Sequence, residues 1–186
     1  MTERRLNQQR IEHLASHDSL TGLLNRAKFM DCLTSEVALA RRQPSVFAVL
    51  YLDLDGFKPI NDRHGHAMGD RVLEWVAGVL GRVARESDFV ARLGGDEFAV
   101  LQRGIVQHEQ ALRLAERLAQ ALSEPFTLDG LALQIGASVG IALYPEHGTD
   151  PESLMASADQ AMYLAKAGQR DCGSLVPPRS SVRDPG

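Results

Sequence analysis

Apolar and polar positions along the chain follow two periods, and the switches between them divide it into elements. Residues 46–55, VFAVLYLDLD, are a nearly unbroken aliphatic and aromatic run closed by two acids, and they predict a buried strand. Residues 70–85 repeat Val72, Leu73, Val76, Val79, Leu80 and Val83 at helical spacing and predict an amphipathic helix. A second helix is expected over 26–41, where Phe29, Leu33, Val37 and Ala40 share a face before Pro44 ends it, and a third over 107–122. The last is expected over 151–167, with an acidic first turn and Lys166 and Arg170 at its end, both suited to the helix dipole. Short strands at 89–92 and 97–101 flank Gly94-Gly95, and strands at 126–128 and 131–143 flank Asp129-Gly130, as hairpins do. Residues 56–69 are polar and turn-rich, with room for a short helical turn. Residues 3–17 predict a helix whose apolar stripe, Leu6, Ile11 and Leu14, is thin for an isolated element. It reads as the end of a longer helix or one that pairs with a copy of itself, the competing reading being a frayed terminus.

Strands separated by helices, with two hairpin pairs, predict an α/β sandwich on a mixed or largely antiparallel sheet. A Rossmann sheet would need a glycine fingerprint after its first strand. Here Asp53, Leu54, Asp55 and Gly56 stand in that place. The 186 residues suffice for one domain, expected over 18–171, with a signalling-helix remnant over 1–17 and a disordered tail over 172–186. A formal net charge of −4 argues against a general nucleic-acid binder and gives no reason to expect contact with an anionic membrane. Cys32 and Cys172 lie far apart without CxxC spacing and read as free thiols of a reducing compartment. No apolar stretch is long enough to span a bilayer and the N-terminus is too polar for a signal peptide, so a cytoplasmic location is expected.

The chemistry-bearing pattern is acids at strand ends, twice over. Asp53 and Asp55 leave the same face of their strand if the strand extends that far, and Asp96 and Glu97 open another. Were the two strands neighbours, these acids would meet at one end of the sheet. Clustered carboxylates either recruit a hard cation such as magnesium or stand as separate solvated acids and caps. Between them, FKPINDRHGHAMGD offers Lys58 for phosphates, and Asn61 and Asp70 for the donor edge of guanine. His64 and His66 do not make a zinc site, because no cysteine lies nearby and HExxH is absent. Lys166 and Arg170, at i and i+4, either clamp a triphosphate or serve the helix end.

Four segments, in order and at matching spacing, resemble the GGDEF family of diguanylate cyclases: DSLTGLLNR at 18–26, DLDGFKPINDRHGHAMGD at 53–70, RLGGDEF at 92–98 and ADQAMYLAK at 158–166. The resemblance covers about residues 14–171 and implies a five-stranded, mainly antiparallel sheet surrounded by helices, similar to nucleotidyl cyclases and polymerase palm domains. It implies that Asp53, the Leu54 carbonyl and Asp96 bind Mg²⁺, with Mn²⁺ as a substitute, and that Glu97 supports a second ion. Asn61, Asp70 and His66 would read guanine, Lys58 would stabilise the transferring phosphoryl group, and Lys166 and Arg170 would hold the terminal phosphates. The implied reaction joins two GTP into cyclic di-GMP and two pyrophosphates, each 3′ oxygen attacking an α-phosphorus across a homodimer of domains, with Asp96 or a metal-held hydroxide taking the proton. Arg85 and Asp88 match the RxxD inhibitory motif that binds the cyclic product, with Arg113 or Arg117 as a supporting cation, and an upstream sensory domain is expected. Ala27, Gln169 and Asp171 depart from the family pattern, but no expected catalytic side chain is missing. The alternatives from another class are a catalytically silent module that senses GTP or cyclic di-GMP and a regulatory domain of an attached phosphodiesterase.

Overall fold

In the computed structural model, which describes residues 2–168 and 174–175, the elements run α1 (Glu3–Ser16), α2 (Arg26–Arg42), β1 (Val46–Asp55), α3 (Phe57–His64), α4 (His66–Val83), β2 (Phe89–Gly94), β3 (Glu97–Ile105), α5 (Glu109–Ser123), β4 (Phe126–Leu128), β5 (Leu131–Leu133), β6 (Gly136–Tyr144), α6 (Pro151–Gly168) and β7 (Ser174–Leu175). The main sheet has the order β2-β3-β1-β6-β7. Its pairings are antiparallel except for the short parallel β6–β7 edge, so the expected α/β fold on a mainly antiparallel five-stranded sheet is the observed one. Ser174–Leu175 depart from the disorder expected of the tail over 172–186, because they pair with Gly140 and Ile141; the rest of that tail lies outside the described residues.

β1 is the central strand, and its two faces feed two cores. Ala48, Leu50, Leu52 and Leu54 pack against α4 and α5 through Val72, Val76, Leu80, Leu114 and Leu118. Phe47, Val49 and Tyr51 face α2 and α6 through Phe29, Leu33, Leu154 and Met162. Both faces are covered, which is why the strand reads as a continuous apolar run. The period-two alternation then sends Asp53 and Asp55 out on the α2/α6 side.

Helix α6 lies directly on β6. A Cβ at Gly140 would meet the Ala158 carbonyl oxygen and the Met162 amide nitrogen, each at 2.1 Å, so only glycine lets helix and strand backbones approach this closely. Asn25 caps α2 through the Lys28 amide at 2.9 Å, and Asp150 caps α6 through the Ser153 amide at 2.9 Å. The turn between α1 and α2 is tied down by Asp18, which accepts from the Thr21 amide and hydroxyl and pairs with Arg92 Nη1 at 3.2 Å. Burial pushes the Asp18 pKa upward, but the Thr21 hydrogen bonds and the Arg92 charge outweigh it and hold the carboxyl below its ordinary value.

Three expectations need correction. Residues 56–69 are not mainly loop: they form α3, and α4 starts at His66 rather than at 70. Gly65, at φ 87°, separates the two helices, and Gly69 inside α4 lets the Asn61 side chain lie where a Cβ would collide with its Oδ1 at 1.7 Å. Residues 131–143 are not one strand. β5 pairs with β4 in a separate two-stranded sheet, and only β6 joins the main sheet. The apolar alternation survives the break, because Leu133 and Ile135 both enter the core while Gln134 donates to the Ser123 carbonyl at 3.1 Å; the hydrogen-bond partners change and the side-chain period does not. The α4 pattern ends at Val83, not at 85, and Ala84 is extended. Helix α1 buries no residue, and Leu6, Ile11 and Leu14 are exposed. Among the described residues no helix is long and apolar enough to cross a membrane. Cys32 is a free thiol, its pKa raised by burial.

Two stability predictions follow from the packing and the N-terminal turn. Gly140→Ala should lower stability by about 1–3 kcal/mol in urea unfolding, through overpacking against α6. Asp18→Asn should cost about 1 kcal/mol at neutral pH. Because the folded pKa of Asp18 is lowered, its contribution is complete above the ordinary value of 3.8 and fades as pH falls through the folded one. The difference between wild type and Asp18→Asn, measured by urea unfolding across acidic pH, should shrink in that window.

Candidate active site

The β1–β3 register brings the strand-end acids together. Asp53 pairs with Glu97, and the Leu54 amide donates to the Asp96 carbonyl at 3.2 Å. Asp96 sits in the turn between β2 and β3, after Gly94 and Gly95 at φ 146° and 50°. Those angles require glycine, and the space where either Cβ would stand is open. Arg92 braces this turn: Nε donates to the Gly95 carbonyl at 3.0 Å while Nη1 holds Asp18. The segment after α1 is thereby tied to the β2–β3 hairpin.

Helix α6 supplies the counter-charge. Lys166 Nζ lies 2.6 Å from Asp53 Oδ2 and 3.8 Å from Asp55 Oδ1, which places both aspartates on the α6 side of the sheet. Ser138 of β6 donates to Asp55 Oδ2 at 2.9 Å. Partial burial pushes the Lys166 pKa down, but its bond to Asp53 and the charges of Asp53, Asp55 and Asp96 outweigh that and raise it. The Asp96 carboxyl is raised above its ordinary value by burial first and by the adjacent Asp53 charge second. Asp53 Oδ1 is buried and has no hydrogen-bond partner.

An orphaned carboxylate oxygen beside an acid that resists ionising is a site that favours a cation. Among the described residues no three His, Cys, Asp or Glu side chains converge into a cage. Magnesium does not need one, since it uses one or two carboxylates and fills its octahedron with water and substrate phosphate. Asp53 and Asp96, with the Leu54 backbone between the strands, fit that role.

The remaining residues fall into two groups. Lys58 is exposed in the first turn of α3, and Asn61 further along it lies against Gly69, one residue before Asp70. His66 stands one helical turn before Asp70, and both are exposed. Asn61 Oδ1 is buried without a partner, so an acceptor waits at the α3–α4 junction. Arg85 and Asp88 form a turn at the far end of α4, outside the carboxylate cluster. Asp88 Oδ2 accepts from the Arg85 amide at 2.9 Å, whereas its Oδ1 is buried and unpartnered. A surface cleft of about 320 Å³ opens there, lined by His17, Leu23, Arg85, Asp88, Phe89 and Val90. Arg117 donates to the Val83 carbonyl at 2.7 Å and so stands beside this turn. Arg170, Gln169 and Asp171 lie outside the described residues.

Motif reading left three contacts unseen. Arg92 and Asp18 belong to quoted segments, but their partnership joins residues 74 positions apart. Ser138, under Asp55, carries no motif. Tyr51 donates to Glu97 Oε2 at 3.0 Å, and the one available signal was a polar-tipped aromatic two positions before Asp53 in an aliphatic strand.

Comparisons with known proteins give the family and the fold. A family model described as "Diguanylate cyclase, GGDEF domain" matches residues 15–172. The diguanylate cyclase TpbB of Pseudomonas aeruginosa is 46% identical over 173 residues, which are 91% of this chain and 40% of that protein. The chain thus spans about two fifths of that relative. A solved structure of an N-terminally truncated TpbB comprising only the GGDEF domain superposes with a TM-score of 0.83 at 46% identity, covering 87% of this chain and 94% of that one. The coiled coil and GGDEF domain of DgcB from Caulobacter crescentus, solved in complex with c-di-GMP, gives a TM-score of 0.84 at 31% identity, covering 92% and 91%. The family match over residues 15–172, with these identities and the shared fold, shows that this chain belongs to the GGDEF-domain diguanylate cyclase family.

Proposed function

We propose that the chain is a catalytically competent diguanylate cyclase, which converts two GTP into cyclic di-GMP and two pyrophosphates. The observation that carries this is the Asp53–Asp96 pair, half-buried together at the end of β1, with a partnerless oxygen on one acid and a raised pKa on the other. Bound magnesium would lower the pKa of the 3′-hydroxyl and offset charge on the phosphates. Asp53 and Asp96, with the Leu54 carbonyl, are its ligands in this proposal, and Glu97 supports a second ion.

Guanine would bind at the α3–α4 junction, where Asn61 and Asp70 meet its hydrogen-bonding edge and His66 borders the pocket. The unpaired Asn61 Oδ1 would there accept a bond that the free protein leaves unmade. Lys58 would face the transferring phosphoryl group. Lys166 would exchange its aspartate contacts for the terminal phosphates, with Arg170 beside it. Each domain orients one GTP, so the two halves of the reaction require two domains facing each other across a two-fold axis. A pairing of α1 with its copy, through the exposed Leu6, Ile11 and Leu14, would bring them together under control of an upstream domain. The product would bind at Arg85 and Asp88, with Arg117 rather than Arg113 as the neighbouring cation.

Incubation of the purified chain with GTP and Mg²⁺, followed by chromatography, tests the assignment. Cyclic di-GMP should appear, and its rate should rise more steeply than linearly with protein concentration. Asp96→Ala should lower turnover by at least about 100-fold. A folded chain that binds GTP and forms no cyclic product at any concentration would instead be a receptor.

A further inference from the structure

Tyr51 is buried in β1 on the same face as Asp53. Its register partner is Ala99 and that of Asp53 is Glu97, so Tyr51 and Glu97 are diagonal neighbours on one face, within reach of an aromatic and a long side chain. The phenol donates to Glu97 Oε2 at 3.0 Å. A phenol carries its proton at neutral pH, so the hydroxyl serves Glu97 as a donor.

Glu97 has a reason to need one. It stands directly opposite Asp53 on the neighbouring strand, and like charges in opposed positions repel. Left to itself the longer side chain would swing away from the pair. A phenylalanine at 51 would fill the same space against Leu33 and Met162 without restraining it.

We propose that Tyr51 is a positioning residue for Glu97: its hydroxyl anchors one carboxylate oxygen inside the sheet and leaves the other facing the Asp53–Asp96 end, ready for a divalent cation. This role rests on the assignment of Glu97 as the carboxylate that supports a second metal ion. Partners that orient a metal-binding carboxylate set its affinity through geometry rather than contact with the ion.

The test is Mn²⁺ binding to the full chain, read by electron paramagnetic resonance, with a GTP analogue whose α–β bridge cannot be cleaved. Tyr51→Phe should weaken Mn²⁺ binding about 10-fold, as loss of an orienting partner does. Glu97→Gln should weaken it at least as much, and adding Tyr51→Phe to Glu97→Gln should cost less than about 2-fold more, because the two act as a unit. Unchanged affinity in Tyr51→Phe beside a loss in Glu97→Gln would overturn the positioning role and leave Tyr51 as core. Unchanged affinity in Glu97→Gln would overturn the metal assignment of Glu97 itself, and the role of Tyr51 with it. If Tyr51→Phe does not fold, the wild-type chain carrying 3-fluorotyrosine decides. The Tyr51 fluorine resonance should move on addition of Mg²⁺ and the analogue, and stay in place in Glu97→Gln. A Tyr51 resonance indifferent to the metal in wild type would overturn the proposal.

Discussion

Asp53 and Asp96 are held together, half-buried, at the end of the central strand, and the rest of the site answers to the repulsion between them. Burial and the Asp53 charge raise the Asp96 pKa, and one Asp53 oxygen is left without a partner. Lys166 relieves part of the repulsion from α6. A dication with phosphate ligands would relieve more, because it meets two anions at once and brings oxygen ligands of its own.

The fold imposes the pairing through a few rigid features. Antiparallel register sets Glu97 opposite Asp53, and the positive-φ glycines turn the chain so that Asp96 lies beside them. Arg92 ties that turn to Asp18, so the segment linking α1 to the domain also braces the β2–β3 hairpin. On the other flank, the absence of a side chain at Gly140 allows α6 to sit on β6 and puts Lys166 over the acids. Close approach at the middle of α6 is therefore coupled to charge balance near its C-terminal end.

Much of this was legible in the sequence, and the missing parts share a cause. β1 was readable to its last residue, because a central strand covered on both faces must be apolar throughout and its acids mark where cover ends. The five-stranded fold and the family followed from motifs whose order and spacing are specific. Strand adjacency was not readable from pattern alone: that Asp53 meets Glu97 is a pairing across 44 residues, and periodicity carries no such term. The same holds for Arg92 with Asp18 and for Tyr51 with Glu97. Residues 131–143 misled because side-chain alternation continues through Gln134 while the backbone changes sheets. The α3–α4 segment misled because polar residues and glycine mimic a loop, although Gly69 is there to admit the Asn61 side chain.

The most direct measurement of the central claim is a carbon-13 carboxylate NMR titration of the chain, with and without Mg²⁺ and an uncleavable GTP analogue. Without them, Asp96 should titrate above the ordinary carboxylate value of 3.8. With them, its midpoint should fall, because a cation bound between Asp53 and Asp96 favours the ionised form. An Asp96 that titrates at its ordinary value in both conditions would contradict the account, since the acids would then be solvated independently and the pair would hold no metal.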